Sequence, residues 1–443
     1  MIDPWLGMGA VLAVLGGLTA GLRFWQVRGG PHPELVRKLL HVGMGLVTLS
    51  FPWVFASAWP VVLLCGLAVA GLLLVRLTPL GRVLSAVGRT SLGEVYFPIA
   101  VTALFALYVH VEREAADHRL VLYLVPVLLL TLADAAAALI GVGYGRHRFA
   151  TSDGEKSAEG SAAFFTCAFF CVHVPVLLLT GTGRPESLLI AALMAWLATL
   201  FEAVAWRGLD NLALPVVTYL LLSAYLDMDL SRLLIRVAVT AALMAFLVFY
   251  RRKTTLIGSA ALGAYLVGYV CWAVGGVPWL LAPLAMFVTY TRFSPKEWRA
   301  PRQVHNIHAV VCAAGPGLAW LLLAQTGGRP DYLLPFTITF AGHLAVAGIA
   351  RLKCDYPHLP DARVVAGCVA AAWAVQFGPY LVTAVVTGLP LLGAAVGLAG
   401  TAVVAVAFYL TQPGLDDCPT DTSRWLRQAA AAALGSLLGL VPL

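Results

Sequence analysis

The sequence predicts an all-α polytopic membrane protein with about sixteen transmembrane helices in two membrane domains. Of its 443 residues, 60% are hydrophobic and only 12% are charged. The mean hydropathy is +0.86, and apolar runs of membrane-spanning length recur from one end to the other. These values lie outside the range of soluble globular proteins.

The apolar runs define the predicted spans, and short polar or charged loops separate them. The runs 59–75, 277–291 and 427–442 are short for a membrane crossing. In chain order the predicted spans are 5–23, 39–57, 59–75, 91–111, 120–141, 160–180, 187–205, 211–226, 231–250, 256–274, 277–291, 304–325, 332–350, 363–387, 390–411 and 427–442.

Lysine and arginine favour alternate loops. If the N-terminus is outside, 23 of the 29 Lys and Arg residues lie in inside loops, which is the positive-inside pattern. We therefore predict a multi-pass protein of a bacterial-type plasma membrane, with the basic loops in the cytoplasm. The net charge of +7 fits this bias and contact with membrane lipids, and does not indicate nucleic-acid binding. The N-terminus lacks a basic region, so no cleavable signal peptide is expected.

The polar residues that resemble functional motifs all precede Asp227–Ser231, and the spans beyond are richer in Ala, Gly and Leu. The predicted domains are therefore residues 1–228, which would be catalytic, and residues 229–443, of uncertain and non-catalytic role.

Residues 131–161 combine a carboxylate inside an apolar run with glycines and a basic loop. Asp134 lies within a predicted span, where a carboxylate is costly unless it is paired, bound to a metal or hydrated. Ala138, Gly141 and Gly145 share its helix face, and such small residues allow close approach of another backbone or of a nucleotide. Close helix packing is the alternative, but the cost of burying Asp134 favours a functional site.

The loop that follows is basic and leads into another apolar run. Ser152 and Glu155 have the spacing of a capping box, which predicts a helix that begins at about Lys156. Amide groups at a helix start, with a lysine beside them, are a favourable phosphate site. No Walker A pattern is present. The predicted anion site here consists of those amides with Lys156, and Arg146, His147 and Arg148 add positive charge.

Three further polar clusters fall on the same predicted side of the membrane. Arg37, Lys38 and His41 are spaced to share one helix face, where they would hold phosphates or orient a hydroxyl, or simply flank a span. Glu94 lies at the start of another span. It would either complete a metal or hydroxyl site or form an ion pair with Arg89 or Arg82.

The third cluster has Glu202 within a span and Asp210 with Asn211 at the mouth of the next. Carboxylate and amide oxygens suit Mg²⁺, although Asp210 and Asn211 also suit a turn. Acids for a metal and bases for phosphates, placed beside lipid, indicate phosphoryl or nucleotidyl transfer.

Four motifs resemble, in order and spacing, those of the polyprenol kinase family, which includes phytol kinase, dolichol kinase and farnesol or geranylgeraniol kinases. They cover about residues 30–225 and read RKLLHVG, SLGE, DAAAALIGVGYGRHRF followed by EKSAEGS, and EAVAWRGLDNLALP. The resemblance implies transfer of phosphate from CTP, or another nucleoside triphosphate, to the terminal hydroxyl of a membrane isoprenoid alcohol. Ala133 is a mild departure, since many relatives carry glycine before the aspartate.

The family's functional positions fall on matching residues of this sequence. Asp134, with Asp210 or Glu202, would hold Mg²⁺, while Lys156 and Arg146 would bind the triphosphate. Either His41 or one of the acids would activate the lipid hydroxyl. The further positions implied for nucleotide binding are Arg37, Lys38, Gly141, Gly145, Ser157, Glu159, Gly160, Ser161 and Asn211.

Residues 255–355 more faintly resemble the integral membrane family that includes phytyl-phosphate kinase. The similar stretches are GSAALGAYLVGYVCWAVGG, PLAMFVTYTRFS and RQVHNIHAVV. Where that family has an acidic motif, this chain reads AGHLAVAGIARLK, without a carboxylate. A second kinase is therefore not expected there, and a generic helical extension is the alternative.

Two other functions remain open from the sequence. A cytidylyltransferase would form a CDP-activated lipid and release pyrophosphate, although its His-Gly-Gly and Asp-Arg elements are not visible. A transporter would use Asp134, Glu202 and His41 as an intramembrane relay, but such residues usually lie near the midplane of repeated halves.

Overall fold

The structure is a computed structural model that describes residues 3–31, 33–77, 93–110, 116–151, 154–204, 208, 210–250, 254, 256–292, 305–417 and 421–441. Within these ranges, eleven helices are long and apolar enough to cross a membrane, and three further apolar helices are shorter. The predicted all-α polytopic membrane class is thus confirmed. Arg82, Arg89 and Ser152, which carried sequence-based predictions, lie outside the described residues.

The chain divides into two compact units, residues 1–239 and 240–443. The roles predicted for residues 1–228 and 229–443 stay predictions. The first unit consists of α1 (Pro4–Gly29), α2 (Pro33–Leu49), α3 (Phe51–Val54), α4 (Trp59–Leu77), α5 (Gly93–His110), α6 (Ala116–Leu128), a π-helical turn (Leu129–Ala133), α7 (Asp134–Tyr144), β1 (Arg148–Thr151), β2 (Gly154–Ser157), α8 (Ala158–Leu179), α9 (Arg184–Val204), α10 (Asp210–Leu226) and the first half of α11 (Leu230–Tyr250).

The predicted span 39–57 is divided in the structure. Helix α2 ends at Leu49, and the short α3 begins at Phe51 with a proline in its first turn. A proline fits the first turn of a helix, because the N–H that it lacks would have no partner within the helix there. The hydroxyl of Tyr123 on α6 donates to the carbonyl of Thr48 at 2.7 Å, which fixes the end of α2 against α6.

Helices α6 and α7 form one apolar rod that a π-helical turn interrupts just before Asp134. The N–H of Asp134 donates to the carbonyl of Leu129, five residues back. An α-helix would have paired this N–H with Leu130. The turn therefore leaves the Leu130 carbonyl available to another element, and such turns occur frequently at functional sites.

A short antiparallel hairpin, β1 with β2, replaces the predicted helix start near Lys156. Lys156 pairs with Phe149 in its register, and Glu155 pairs with Ala150. Helix α8 begins at Ala158, and the Ser157 hydroxyl caps it by accepting from the Gly160 N–H at 3.1 Å. The predicted capping box was therefore wrong, because residues 154–157 are extended and pair with β1.

The second unit continues from α11 with α12 (Gly258–Gly275), α13 (Val277–Arg292), α14 (Ile307–Gly327), α15 (Leu333–Asp355), α16 (Asp361–Thr387), α17 (Gly393–Thr411) and α18 (Thr422–Ser436). Helix α15 is the centre of this unit, since its membrane-length window is 89% buried. It carries the stretch AGHLAVAGIARLK. Burial among other helices explains the apolar character of that stretch in packing terms alone.

Candidate active site

A lysine and an aspartate from separate helices form the centre of the candidate site. The Nζ atom of Lys38 on α2 lies 2.6 Å from Oδ2 of Asp134, the first residue of α7. Lys38 is only 5% exposed. A buried charge is tolerated when a partner of opposite sign meets it with good geometry. This pair explains how Asp134 is accommodated within a membrane-length helix.

His41 stands beside this pair, one turn further along α2 than Lys38. Its Nε2 atom lies 2.9 Å from the Leu130 carbonyl and 3.6 Å from Oδ2 of Asp134. A carbonyl only accepts hydrogen bonds, so Nε2 carries the proton and a neutral His41 keeps its lone pair on Nδ1. The ring of Phe97 packs against the imidazole with centroids 5.2 Å apart. The contacts with Leu130 and Phe97 were not foreseen, because no sequence signal marked the π-helical turn.

A second lysine and acid pair comes from the hairpin and α9. The Nζ atom of Lys156 lies 2.7 Å from Oε1 of Glu202 and also contacts the Glu202 carbonyl. The Lys156 side chain is 24% exposed and that of Glu202 is 12% exposed. The charge of Lys156 also acts on Asp134. The two lysine and acid pairs are therefore close enough to interact electrostatically.

Asp210 interacts electrostatically with both pairs, because the charges of Lys156, Asp134 and Glu202 act on its carboxylate. Its Oδ1 atom is buried and has no hydrogen-bond partner. A buried acceptor without a partner is unusual and calls for an explanation. Asn211, which the sequence grouped with Asp210, donates from Nδ2 to the Gly93 carbonyl at 3.0 Å. This contact fixes the start of α10 against the start of α5.

Glycines hold α7 against the start of α8. A methyl group on Gly160 would lie 2.9 Å from the Ala137 carbonyl and 3.2 Å from the Gly141 Cα. One on Gly145 would lie 2.7 Å from the Ser157 hydroxyl. The close backbone approach expected for this face is therefore present between two helices. The assignment of these glycines to nucleotide binding stays a prediction.

Glu159 organises the loop that precedes the hairpin. Its carboxylate accepts from the backbone N–H groups of Arg146 at 3.1 Å and His147 at 3.2 Å, and from His147 Nδ1 at 2.7 Å. The Ala158 N–H donates to the His147 carbonyl at 2.9 Å. The Ala158 and Gly160 amides at the start of α8 therefore already have hydrogen-bond acceptors. Glu159 holds the preceding loop in place through Arg146 and His147.

The remaining predicted residues are placed less centrally. The side chains of Arg37, Arg146 and Glu94 are exposed, and Ser161 is half-buried. Their predicted roles in binding stay predictions.

The acids give a partial fit to Mg²⁺. Among the described residues, no group of three or more His, Cys, Asp and Glu side chains is arranged to hold a metal alone. Two of the three candidate acids, Asp134 and Glu202, are paired with lysines, while Asp210 has an unsatisfied oxygen. Mg²⁺ commonly uses one or two carboxylates and completes its shell with phosphate oxygens and water. This arrangement is compatible with such a shared site.

Part of the chain is similar to a known protein. Phytol kinase of Synechocystis sp. is 26% identical to this chain over 213 residues, which are 48% of this chain and 88% of that protein. No family model matches the chain. No solved structure matches it. The predicted resemblance to the polyprenol kinase family is therefore confirmed at partial coverage.

Proposed function

We propose that the first unit is an isoprenoid alcohol kinase that transfers the terminal phosphate of CTP to the hydroxyl of a membrane lipid. Two buried or half-buried lysines paired with acids in one field, in a chain similar to phytol kinase, carry this proposal. Phosphoryl transfer needs positioned cations and carboxylates more than covalent chemistry. Candidate acceptors are phytol, geranylgeraniol, farnesol and polyprenol or dolichol.

The triphosphate would bind by replacing a carboxylate as the partner of a lysine. In the structure, Lys38 pairs with Asp134 and Lys156 pairs with Glu202. A triphosphate carries more negative charge than a carboxylate, so it competes for Lys156, the more exposed of the two lysines. Arg146, which Glu159 positions through its backbone, lies two residues before the start of β1 and adds positive charge. Release of Glu202 then frees an acid for metal binding.

In the transfer step, the lipid oxygen forms a bond to the γ-phosphorus while the bond from that phosphorus to the β-phosphate oxygen breaks, and CDP leaves. The hydroxyl proton passes to Nδ1 of His41, because Nε2 is already donating to Leu130. Mg²⁺, when bound, would neutralise phosphate charge. Asp210, Glu202 and Asp134 are its proposed ligands, and Asp210 Oδ1 is the oxygen that a cation would satisfy.

The proposed site faces the cytoplasm. Arg146, Arg148 and Lys156 lie in a loop that the positive-inside pattern assigns to that side, where nucleotides are available. The lipid alcohol would reach the site from the membrane.

The test uses the full chain in lipid nanodiscs with Mg²⁺, each of the four nucleoside triphosphates and each candidate alcohol. A lipid monophosphate together with CDP is expected, with CTP as the best donor, and the variant Asp134→Ala should be inactive. Asp227→Asn, at a side chain that is 80% exposed, is the control and should keep full activity.

Three results would overturn the proposal: no lipid phosphate with any alcohol, full activity in Asp134→Ala, or a CDP-lipid with release of pyrophosphate. The last result would establish the cytidylyltransferase alternative. Nucleotide-independent flux of a solute in proteoliposomes, without lipid phosphate, would instead support a transporter.

A further inference from the structure

The second unit contains a cavity that the function proposed above does not use. Its volume is about 170 Å³, and most of its wall is apolar. Phe246, Leu280, Met286, Phe287 and Phe340 are among the lining side chains. An engineered core cavity of about 150 Å³ with such a wall binds benzene. This cavity is therefore large enough for a section of an aliphatic chain.

A buried cation lines the same cavity. Arg424 on α18 is 9% exposed, and its guanidinium carbon lies 4.7 Å from the centroid of the Trp425 ring. His305 packs against Trp425 with ring centroids 5.0 Å apart and against Tyr290 at 5.6 Å. All four side chains belong to the cavity wall. Arginine stacked on an aromatic ring is pre-organised for a planar or tetrahedral anion.

Another polar side chain lines the cavity, and an acid at the start of α18 acts on Arg424. Gln428 also lines the cavity, donates from Nε2 to His343 Nδ1 at 3.0 Å, and has a buried Oε1 without a partner. The charge of Asp421 acts on Arg424. Asp421 is exposed, and its oxygens accept from the backbone N–H of Arg424 and the Ser423 hydroxyl as the cap of α18. The acid thus stands at the helix start, whereas the guanidinium lies in the cavity wall.

We propose that this cavity binds a single-chain lipid with an anionic head group. The chain would lie against the phenylalanine and leucine side chains, and the head group would meet Arg424. Hydrogen bonds to charged groups are about twice as strong as neutral ones. The cavity should therefore bind a lipid with an anionic head group more tightly than one with a neutral head group. A carboxylate and a phosphate monoester share this chemistry. The proposal does not rest on the kinase function of the first unit.

The test is photo-crosslinking of the full chain in nanodiscs with three diazirine-bearing probes of equal chain length. Their head groups are a carboxylate, a phosphate monoester and an alcohol. Peptide mapping should place the anionic probes on cavity residues, with competition by the unlabelled lipid. Labelling by the alcohol at the same site should need at least about tenfold more probe. The better of the two anionic probes identifies the head-group class.

Variants separate the cavity from general lipid contact. Arg424→Gln should raise the half-saturating concentration of the anionic probes about tenfold and leave the alcohol unchanged, whereas Arg424→Lys should keep much of the affinity. Gly268→Leu should block the cavity, since an added Cβ there meets only Leu280 Cδ1 at 3.6 Å and the larger side chain can enter the space. Val386→Trp, on the exposed face of α16, is the control.

Thermal unfolding of each variant shows whether the fold is kept, and Gly268→Leu tests the site even if Arg424 is needed for folding. Labelling outside the cavity only, equal affinity for the alcohol and the anionic probes, or unchanged labelling in Gly268→Leu would each overturn the proposal.

Discussion

The Nζ atom of Lys38 lies 2.6 Å from Oδ2 of Asp134, although 96 residues separate them in the chain. The two residues come from α2 and α7, and His41 approaches the same carboxylate oxygen at 3.6 Å. The contact links the RKLLHVG motif to the carboxylate of the DAAAALIGVGYGRHRF motif. It also yields a prediction that distinguishes stability from catalysis.

Lys38→Met leaves Asp134 buried without its partner, so we expect the free energy of unfolding to fall by about 3–5 kcal/mol. Lys38→Met/Asp134→Leu removes both charges and should recover most of this loss, because an apolar pair of similar volume replaces a buried ion pair at little cost. Both variants should be inactive as kinases. Thermal unfolding in detergent and the lipid kinase assay measure the two effects.

Arg23→Met, at an exposed position on α1, is the control and should behave as the unchanged protein. If the double variant were as unstable as Lys38→Met, the pair would not be the energetic unit that its geometry indicates.

Lys156→Ala removes the cation proposed to exchange Glu202 for phosphate. We expect kcat/KM for the nucleotide to fall about 10²–10³-fold, as is typical when a group that stabilises transition-state charge is removed. Lys156→Arg should recover part of the activity. Arg148→Ala is a matched control on the same hairpin, with a side chain that is 58% exposed. Equal losses in Lys156→Ala and Arg148→Ala would point to general loop charge and argue against a specific role for Lys156.

His41→Gln keeps an N–H donor for the Leu130 carbonyl but removes the basic nitrogen. We expect kcat to fall about 10²–10⁴-fold, which is the usual contribution of a general base, while the unfolding temperature changes little. The loss of activity towards low pH, where a histidine base becomes protonated, should disappear in the variant. His110→Gln, whose Nδ1 contacts its own helix at the Ala106 carbonyl, is the control. A pH profile that is the same with and without His41 would exclude it as the base.

Gly145→Ala tests the close packing of α7 against the start of α8. Its new methyl group would lie 2.3 Å from the Gly141 carbonyl and 2.7 Å from the Ser157 hydroxyl, so we expect a destabilisation of about 1–3 kcal/mol. Gly143→Ala is the matched control, because nothing lies within 4 Å of its added Cβ. It should be neutral or stabilising by up to about 1 kcal/mol through helix propensity. Thermal unfolding distinguishes the two, and equal effects would contradict the packing.

The sequence by itself determined the membrane class and the residues of interest. Asp134 and Glu202 could be selected because an acid in an apolar span is costly and therefore needs a partner. The structure places both acids against lysines, Lys38 and Lys156, that the sequence had also selected. The pairing of each lysine with its acid could not be predicted. The partners are 96 and 46 residues apart in the chain, and no local periodicity relates them.

Only the tertiary structure decided the local geometry of the site. The π-helical turn that presents the Leu130 carbonyl to His41, and the hairpin that moves the start of α8 to Ala158, override local helix signals. The capping-box spacing failed because residues 154–157 gain more by pairing with β1 than by forming a helical turn. A sequence can name the charged groups that a membrane must neutralise, but packing decides which of them meet, because their pairing depends on contacts between distant helices.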